Sequence, residues 1–212
     1  MDHGTIVERG LREEHRHAAA LIFEDAFGSE QRMAVPDAGK RLRYFERVID
    51  ARHVLSAVRD EELVGMVGLS SREATYSGGV MHISWDPRQL RDILGWVGAA
   101  WAQWGTRLAM HRPADGELYI DGLAVAPAAR GSGIGTSLLG EAEAIAAELG
   151  LGWLRLDVLD TNPRAQALYE RVGYRATRAQ SLRHVQHWAG SGGLISMERP
   201  VQRATAQPGL EP

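Results

Sequence analysis

The spacing of apolar positions along the chain changes several times, and each change marks an element. Thr5-Ile6-Val7-Glu8 reads as a short first strand. From Leu11 to Phe27, the apolar residues Leu11, Ala18, Leu21, Ile22 and Ala26 fall at helical spacing, with Gly28 as the expected stop. Asp37 is placed to cap a second helix that would bury Leu42, Phe45, Val48 and Ile49. The period then falls to that of a strand. His53 to Val58 and Leu63 to Leu69 are β-rich runs separated by Arg59-Asp60-Glu61-Glu62, the spacing of a hairpin.

The pattern is less regular from about Ser71 to Gly116. After a glycine-containing loop, Asp86-Pro87 predicts a helix start. Leu90, Ile93, Leu94, Val97, Trp101, Trp104 and Leu108 would share one face of that helix. Glu117 to Val125 is a strand, and Pro127 to Gly135 a loop opening a helix that runs to Leu149, with Gly150 as its stop. Leu154 to Val158 is the next strand. Asn162-Pro163 starts another helix that ends near Val172-Gly173. Tyr174 to Thr177 and Leu194 to Glu198 are expected closing strands. Strands alternating with helices in this way predict a single α/β (α+β) domain over residues 1–200, built on a mixed sheet. A helical insertion would occupy about 71–116, and residues 201–212 read as a mobile tail.

Composition narrows the classes of function. Of 212 residues, 44% are hydrophobic, enough for a sizeable core, and the formal net charge is −3, which gives no electrostatic reason to expect a nucleic-acid partner. Lys40 is the only lysine, so the basic side chains are nearly all guanidinium groups, which match phosphate in a bidentate way. There is no cysteine, which excludes disulfides, thiolate nucleophiles and cysteine-ligated metals. The longest apolar run, Ile93 to Ala102, is about half of the roughly 20 residues a membrane span needs. The expectation is a soluble, cytoplasmic protein without a membrane partner.

The first chemical signal is Arg130-Gly131-Ser132-Gly133-Ile134-Gly135-Thr136, between a strand and a helix. The first N–H groups of a helix lack internal partners and sit at the positive end of its dipole, so phosphate oxygens can satisfy them. Gly131, Gly133 and Gly135 let a ligand approach the backbone, Arg130 adds charge, and Thr136 offers a hydroxyl. A Walker loop would need Gly-Lys-Ser/Thr, and a dinucleotide fingerprint would need G-x-G-x-x-G early in a βαβ unit; neither is present. From these residues alone, an anion loop and a simple glycine-rich turn both stand.

The flanking blocks add to this. Leu123-Ala124-Val125-Ala126-Pro127 precedes the loop, and Asn162-Pro163-Arg164-Ala165-Gln166-Ala167-Leu168-Tyr169-Glu170-Arg171-Val172-Gly173-Tyr174 follows it. In this order and spacing the three blocks resemble the GNAT superfamily of N-acetyltransferases, closely over residues 117–178 and more loosely at the β-α-α-β-β start. The resemblance implies a GNAT-like, mostly antiparallel twisted sheet flanked by helices; many members join its third and fourth strands by a short turn, where this chain has the insertion from about Ser71 to Gly116. It also implies acetyl-CoA as co-substrate, with no metal. The strand Glu117 to Val125 would carry a β-bulge near its end. Leu123, Ala124 and Val125 would line a V-shaped slot, bonding the pantetheine arm through backbone as an added strand does. Arg130, Gly131, Ser132, Gly133, Ile134, Gly135 and Thr136 would hold the pyrophosphate. Asn162 would contact the pantetheine arm, alongside an ordinary role in helix capping. Tyr169 would approach the cofactor sulfur and protonate the departing thiolate.

The implied reaction is direct attack by an amine in a ternary complex. An alkylammonium has a pKa of about 10, so a base is needed. Asp121 is the candidate, directly or through water. With an uninterrupted two-residue period, Tyr119, Asp121 and Leu123 would point to one side of the strand. His82, His111 and Glu24 are further candidates. The acceptor implied is a small-molecule or peptide amine. The tryptophan-rich insertion reads as self-packing, as a homodimer contact, or as a wall of the acceptor site. His184 and His187 have i,i+3 spacing, but no third metal ligand accompanies them. The competing reading is a non-catalytic acyl-CoA-binding sensor or partner-binding module, and transfer of longer acyl groups also stays open.

Overall fold

The computed structural model describes residues 4–32, 35–72, 91–92, 95–96, 113–181 and 193–202. Strand β1 (Ile6–Arg9) leads through a 3-10 turn at Glu13–His15 into helix α1 (Arg16–Gln31). Helix α1 runs through Gly28 instead of stopping there. A Cβ at Gly28 would lie 2.5 Å from the Glu24 carboxyl group, so the glycine makes room for that carboxylate to fold back on its own helix. Glu24 is held there by Arg41 of α2 (Ala38–Val48), whose Nη2 donates to it at 2.6 Å. Arg41 is buried and also donates to the Val35 and Pro36 carbonyls at 2.6 and 2.9 Å. The apolar pattern of α2 did not show this buried cation. The cap expected at Asp37 is present, accepting the Lys40 N–H at 2.7 Å.

The hairpin forms as expected from β2 (Val54–Arg59) and β3 (Glu62–Ser70). Asp60 and Glu61 carry φ of 51° and 63°, the pair of left-handed residues of a type I′ turn, whose twist suits a two-residue hairpin. Strand β4 (Glu117–Val125), helix α3 (Ile134–Glu148), strand β5 (Trp153–Leu159), helix α4 (Pro163–Arg171), and strands β6 (Arg175–Ser181) and β7 (Gly193–Pro200) complete the chain. Their order in the sheet is β1-β2-β3-β4-β5-β7-β6. β4 and β5 are parallel, and every other neighbouring pair is antiparallel. The last strand therefore inserts between β5 and β6, a placement that strand order along the chain does not reveal. This is the mixed, mostly antiparallel sheet flanked by helices that was expected.

Each face of the sheet carries its own apolar cluster. Phe23 of α1 and Tyr44 and Phe45 of α2 pack with Val54, Met66 and Ala124 on one face. On the other, Leu138, Leu139, Ala142 and Ile145 of α3 and Tyr169 of α4 pack with Val67, Leu69, Leu118, Ile120, Leu154 and Leu156. The insertion falls mostly outside the described residues, as do Trp101, Trp104, His82 and His111, the segment with His184 and His187, and the tail beyond Gln202. Of the insertion, Arg91, Asp92, Gly95 and Trp96 are helical, and the Arg91 guanidinium lies 4.7 Å from the centre of the exposed Trp96 ring.

Helix α3 is seated on the sheet through Gly65 of β3. A Cβ there would lie 2.8 Å from Ile134 Cγ2 and 3.3 Å from the Ala124 carbonyl oxygen. Gly65→Ala is expected to destabilise the fold by about 1–3 kcal/mol, the usual cost of overpacking, measured by urea denaturation. Ile134→Leu removes the obstructing γ-methyl and should recover part of that loss in the double variant. Strictly additive losses would mean that the two groups do not meet.

Candidate functional site

Strands β4 and β5 pair only at Glu117 with Trp153, Leu118 with Leu154, and Tyr119 with Arg155. Beyond that point β5 stays paired with β7 along its whole length, while β4 stays paired with β3 up to Val125. The two strands part, and the edge of β4 from Ile120 onward no longer pairs with β5. Within this stretch the register with β3 slips by one: Gly68 faces Asp121, whereas Val67 faces Leu123. Gly122 is the extra residue, with φ of 73°. It makes a β-bulge of the kind that needs a left-handed residue. A Cβ on Gly122 would also lie 3.3 Å from the Phe23 ring.

The bulge expected near the end of this strand lies at Gly122, and it breaks the uninterrupted alternation that would have put three side chains on one side. Tyr119, Asp121 and Leu123 do not share a side. Leu123 packs against the α3–α4 cluster, with its Cδ2 3.5 Å from a Cβ built on Gly135, while Ala124 turns to the α1–α2 cluster. Two-residue alternation holds on each side of Gly122, and the inserted residue reverses its phase.

The expected anion loop has two kinds of glycine. Gly131 and Gly133 have φ of 81° and 86°, and added Cβ atoms would meet nothing within 4 Å. They leave the backbone open on its outer side. Gly135 is different: its Cβ would lie 3.0 Å from Leu168 Cδ2, so this glycine serves the contact between α3 and α4. Ile134 is buried on Gly65 and anchors the helix. Helix α3 is preceded at its N-cap by Gly133 and has no side-chain cap, whereas α2 and α4 are capped by Asp37 and Asn162. An N-terminus left open to solvent, with Thr136 exposed beside it, can receive an anion on its free N–H groups.

Arg130 stands at the mouth of this loop. Its Nε donates to the Val125 carbonyl at 3.0 Å, and its Nη2 forms an ion pair with Asp25 of α1. Ser132 Oγ donates to the Ala129 carbonyl at 2.7 Å and accepts from Arg59 Nη2 at 3.3 Å, so a second guanidinium reaches the loop. Arg59 and Asp25 were not among the expected residues. Both are ordinary surface charges in sequence, and only the fold brings them here.

Asn162 caps α4, its Oδ1 accepting the Ala165 N–H at 3.1 Å, and is exposed. Tyr169, two turns on, is buried edge-to-face against Tyr174 with ring centres 5.8 Å apart. Burial pushes its phenol up to about 12. It therefore stays protonated at neutral pH and can donate.

Asp121 is 5% exposed, and its Oδ2 has no hydrogen-bond partner among the described residues. Burial pushes its carboxyl up to about 7; the Ser70 hydroxyl opposes the rise through a hydrogen bond, and the charge of Asp157 adds to it. Asp157 of β5 lies across the parting of the strands. It accepts from Tyr119 Oη at 3.0 Å and from Ser196 Oγ at 2.6 Å. Sequence reasoning missed Asp157 and Ser196. The one signal was the polar position between Leu156 and Val158, which says only that the residue faces away from the core. Glu24, the alternative base, is engaged by Arg41. Among the described residues no group of three or more potential ligands could hold a metal ion, and no helix is long and apolar enough to cross a membrane.

The pattern of the Acetyltransferase (GNAT) family matches residues 20–174. Among characterised proteins, thialysine N-epsilon-acetyltransferase of Bos taurus is 37% identical over 71 residues, which are 34% of this chain and 39% of that protein. Streptothricin acetyltransferase of Streptomyces lavendulae is 34% identical over 83 residues, 39% of each chain. The chain thus spans well under half the length of these two relatives. Among solved structures, an N-acetyltransferase from Staphylococcus aureus Mu50 superposes with a TM-score of 0.62 at 18% identity, covering 92% of this chain and 100% of that one. The ribosomal-protein-S18-alanine N-acetyltransferase from Escherichia coli gives 0.52 at 16% identity, covering 98% and 99%. At these identities the structural likeness speaks for the fold.

The raised Asp121 group sets a pH dependence of stability. Its folded value lies above the unfolded one, so the stability it contributes is complete below about pH 4 and is lost as pH rises through about 7. Asp121→Asn cannot ionise. It should melt several degrees higher than the parent at pH 8, with the gap narrowing through pH 5 and closing near pH 4, in thermal denaturation followed by circular dichroism. A gap that widened toward pH 5 would contradict the buried, neutral carboxyl.

Proposed function

Because the chain belongs to the Acetyltransferase (GNAT) family, we propose that it moves an acetyl group from acetyl-CoA to the amine of an acceptor by direct attack in a ternary complex. The observation that carries this reading is the opening between β4 and β5 beside the uncapped start of α3. A strand edge without a neighbour can take an extended amide-bearing arm as it would another strand. At the end of that edge, free helix N–H groups and a guanidinium suit a pyrophosphate. Coenzyme A has both parts, in that order. In this reading one acetyltransferase domain extends over residues 1–200.

Leu123, Ala124 and Val125 bind the pantetheine arm through their backbone. A backbone N–H at the bulge polarises the thioester carbonyl, where negative charge develops in the transition state. Gly131, Ser132, Gly133, Gly135 and Thr136 take the phosphates through backbone and hydroxyl. Ile134 contributes its N–H while its side chain anchors the helix. Arg130 exchanges Asp25 for phosphate. Asn162 uses Oδ1 for its cap and keeps its NH2 for the arm. Asp121, with a carboxyl near 7, is matched to remove a proton from the incoming ammonium near neutral pH. Tyr169 then protonates the departing thiolate. The amine attacks the thioester carbon, the C–S bond breaks, and amide and free thiol leave.

The overall test is thiol release from acetyl-CoA with a panel of amines. Tight cofactor binding without turnover on any amine would favour a sensor. Arg130→Gln removes the charge without adding repulsion toward Asp25. It should weaken coenzyme A binding by about tenfold or more, the scale of a lost charge-assisted bond, with little change in melting temperature. Unchanged affinity by calorimetry would remove Arg130 from the site. Tyr169→Phe should slow turnover by about tenfold or more, as loss of a general acid does, while coenzyme A affinity stays within about twofold. A full rate would leave Tyr169 a packing residue.

A further inference from the structure

The sheet face that carries Asp121 is charged, and its charges are unevenly balanced. Alternation and register put Glu117, Tyr119 and Asp121 of β4, Arg155 and Asp157 of β5, and Ser196 and Glu198 of β7 on this face. At the closed end, where β4 and β5 are still paired, Arg155 bridges Glu117 at 3.0 Å and Glu198 at 2.9 Å. At the open end, Asp121 and Asp157 have no cation beside them among the described residues. Asp157 receives one neutral hydroxyl on each oxygen, from Tyr119 and Ser196. These bonds orient it but do not neutralise it. Asp121 is almost fully buried with Oδ2 unpartnered, a costly arrangement unless a donor arrives from outside.

We infer that Asp157 is a specificity residue for an acceptor with two positive charges: the reacting amine lies at Asp121 and a second ammonium at Asp157. This rests on the transferase reading for the chemistry and on the charge balance for the substrate class. The register at Tyr119 and Arg155, continued by two residues, would set Asp121 opposite Asp157. Neighbouring strands lie about 4.8 Å apart and these are parting, so the spacing suits a short aliphatic diamine. A metal fits less well, since no three ligating side chains converge among the described residues. Tyr119 is a positioning residue: its hydroxyl holds Asp157, and its phenol is kept protonated by burial and by both carboxylates.

The test compares diaminobutane with n-butylamine, which has the same chain and one charge fewer. For the unaltered protein, kcat/KM in thiol release should favour the diamine by about tenfold or more, the scale of one charge-assisted contact. In Asp157→Asn that preference should fall by about tenfold, through the KM for diamine more than through kcat. A purely structural Asp157 would lower both amines alike, which would overturn the proposal. Calorimetric titration of diaminobutane into the protein saturated with coenzyme A separates the two readings. Binding that depends on Asp157, without turnover, would sink the transferase reading and keep the cation site. Turnover without preference for the diamine would keep the transferase and sink the site.

Discussion

Strands β4 and β5 pair only from Glu117 to Tyr119 and then part, and most of what is distinctive in this protein depends on that. β4 is committed to β3 on one side up to Val125, and β5 to β7 on the other up to Leu159. The bulge at Gly122 sharpens the divergence, because an extra residue bends and twists the strand that carries it. A side chain at Gly122 would press on Phe23 and would need an unfavourable positive φ. The bulge is thus supported by the packing of α1 as well as by its own glycine. It leaves an unpaired strand edge inside the sheet, and it reverses side-chain phase between Asp121 and Leu123.

The phase reversal separates two environments on one strand. Before the bulge, Asp121 lies with Tyr119 and Asp157 on the polar part of the α1–α2 face. After it, Leu123 belongs to the apolar cluster under α3 and α4. A continuous strand would have put Leu123 beside Asp121 and its backbone in a regular ladder. The same principle of close approach governs α3. Gly65 lets Ile134 settle on β3, and Gly135 lets α4 come near. The helix start is thereby fixed on its inner side, while Gly131 and Gly133 keep its outer side clear. Rigid packing on one side and open backbone on the other is the preorganisation an anion site needs.

Electrostatics follow the same geometry. Where the strands are paired, Arg155 balances two glutamates. Where they part, no cation stands beside Asp121 and Asp157 among the described residues, and burial, with the charge of Asp157 adding to it, pushes Asp121 toward its neutral form. A carboxyl raised by burial beside an open strand edge joins the fold to the proposed chemistry.

Most of the elements were legible in the sequence, because the hydrophobic period of a strand or helix is a local property. The Asp37 and Asn162 caps, the hairpin and the strand from Glu117 to Val125 all read correctly for that reason. The glycine-rich loop and its flanking blocks pointed to the family, since the order and spacing of those residues along the chain are what the family shares. Local reading failed where a residue's role depends on a distant one. Gly28 looked like a helix stop, yet it makes room for Glu24, which pairs with Arg41. Leu123 looked like a neighbour of Asp121 until pairing with β3 placed the bulge. Asp157 was one polar residue in an alternating strand until Tyr119 and Ser196 closed on it. The chain by itself determined which segments are strands and helices and where the glycine-rich loop joins them. The tertiary structure decided which charges are balanced and which edge stays open, because burial and pairing arise only when segments far apart in sequence meet.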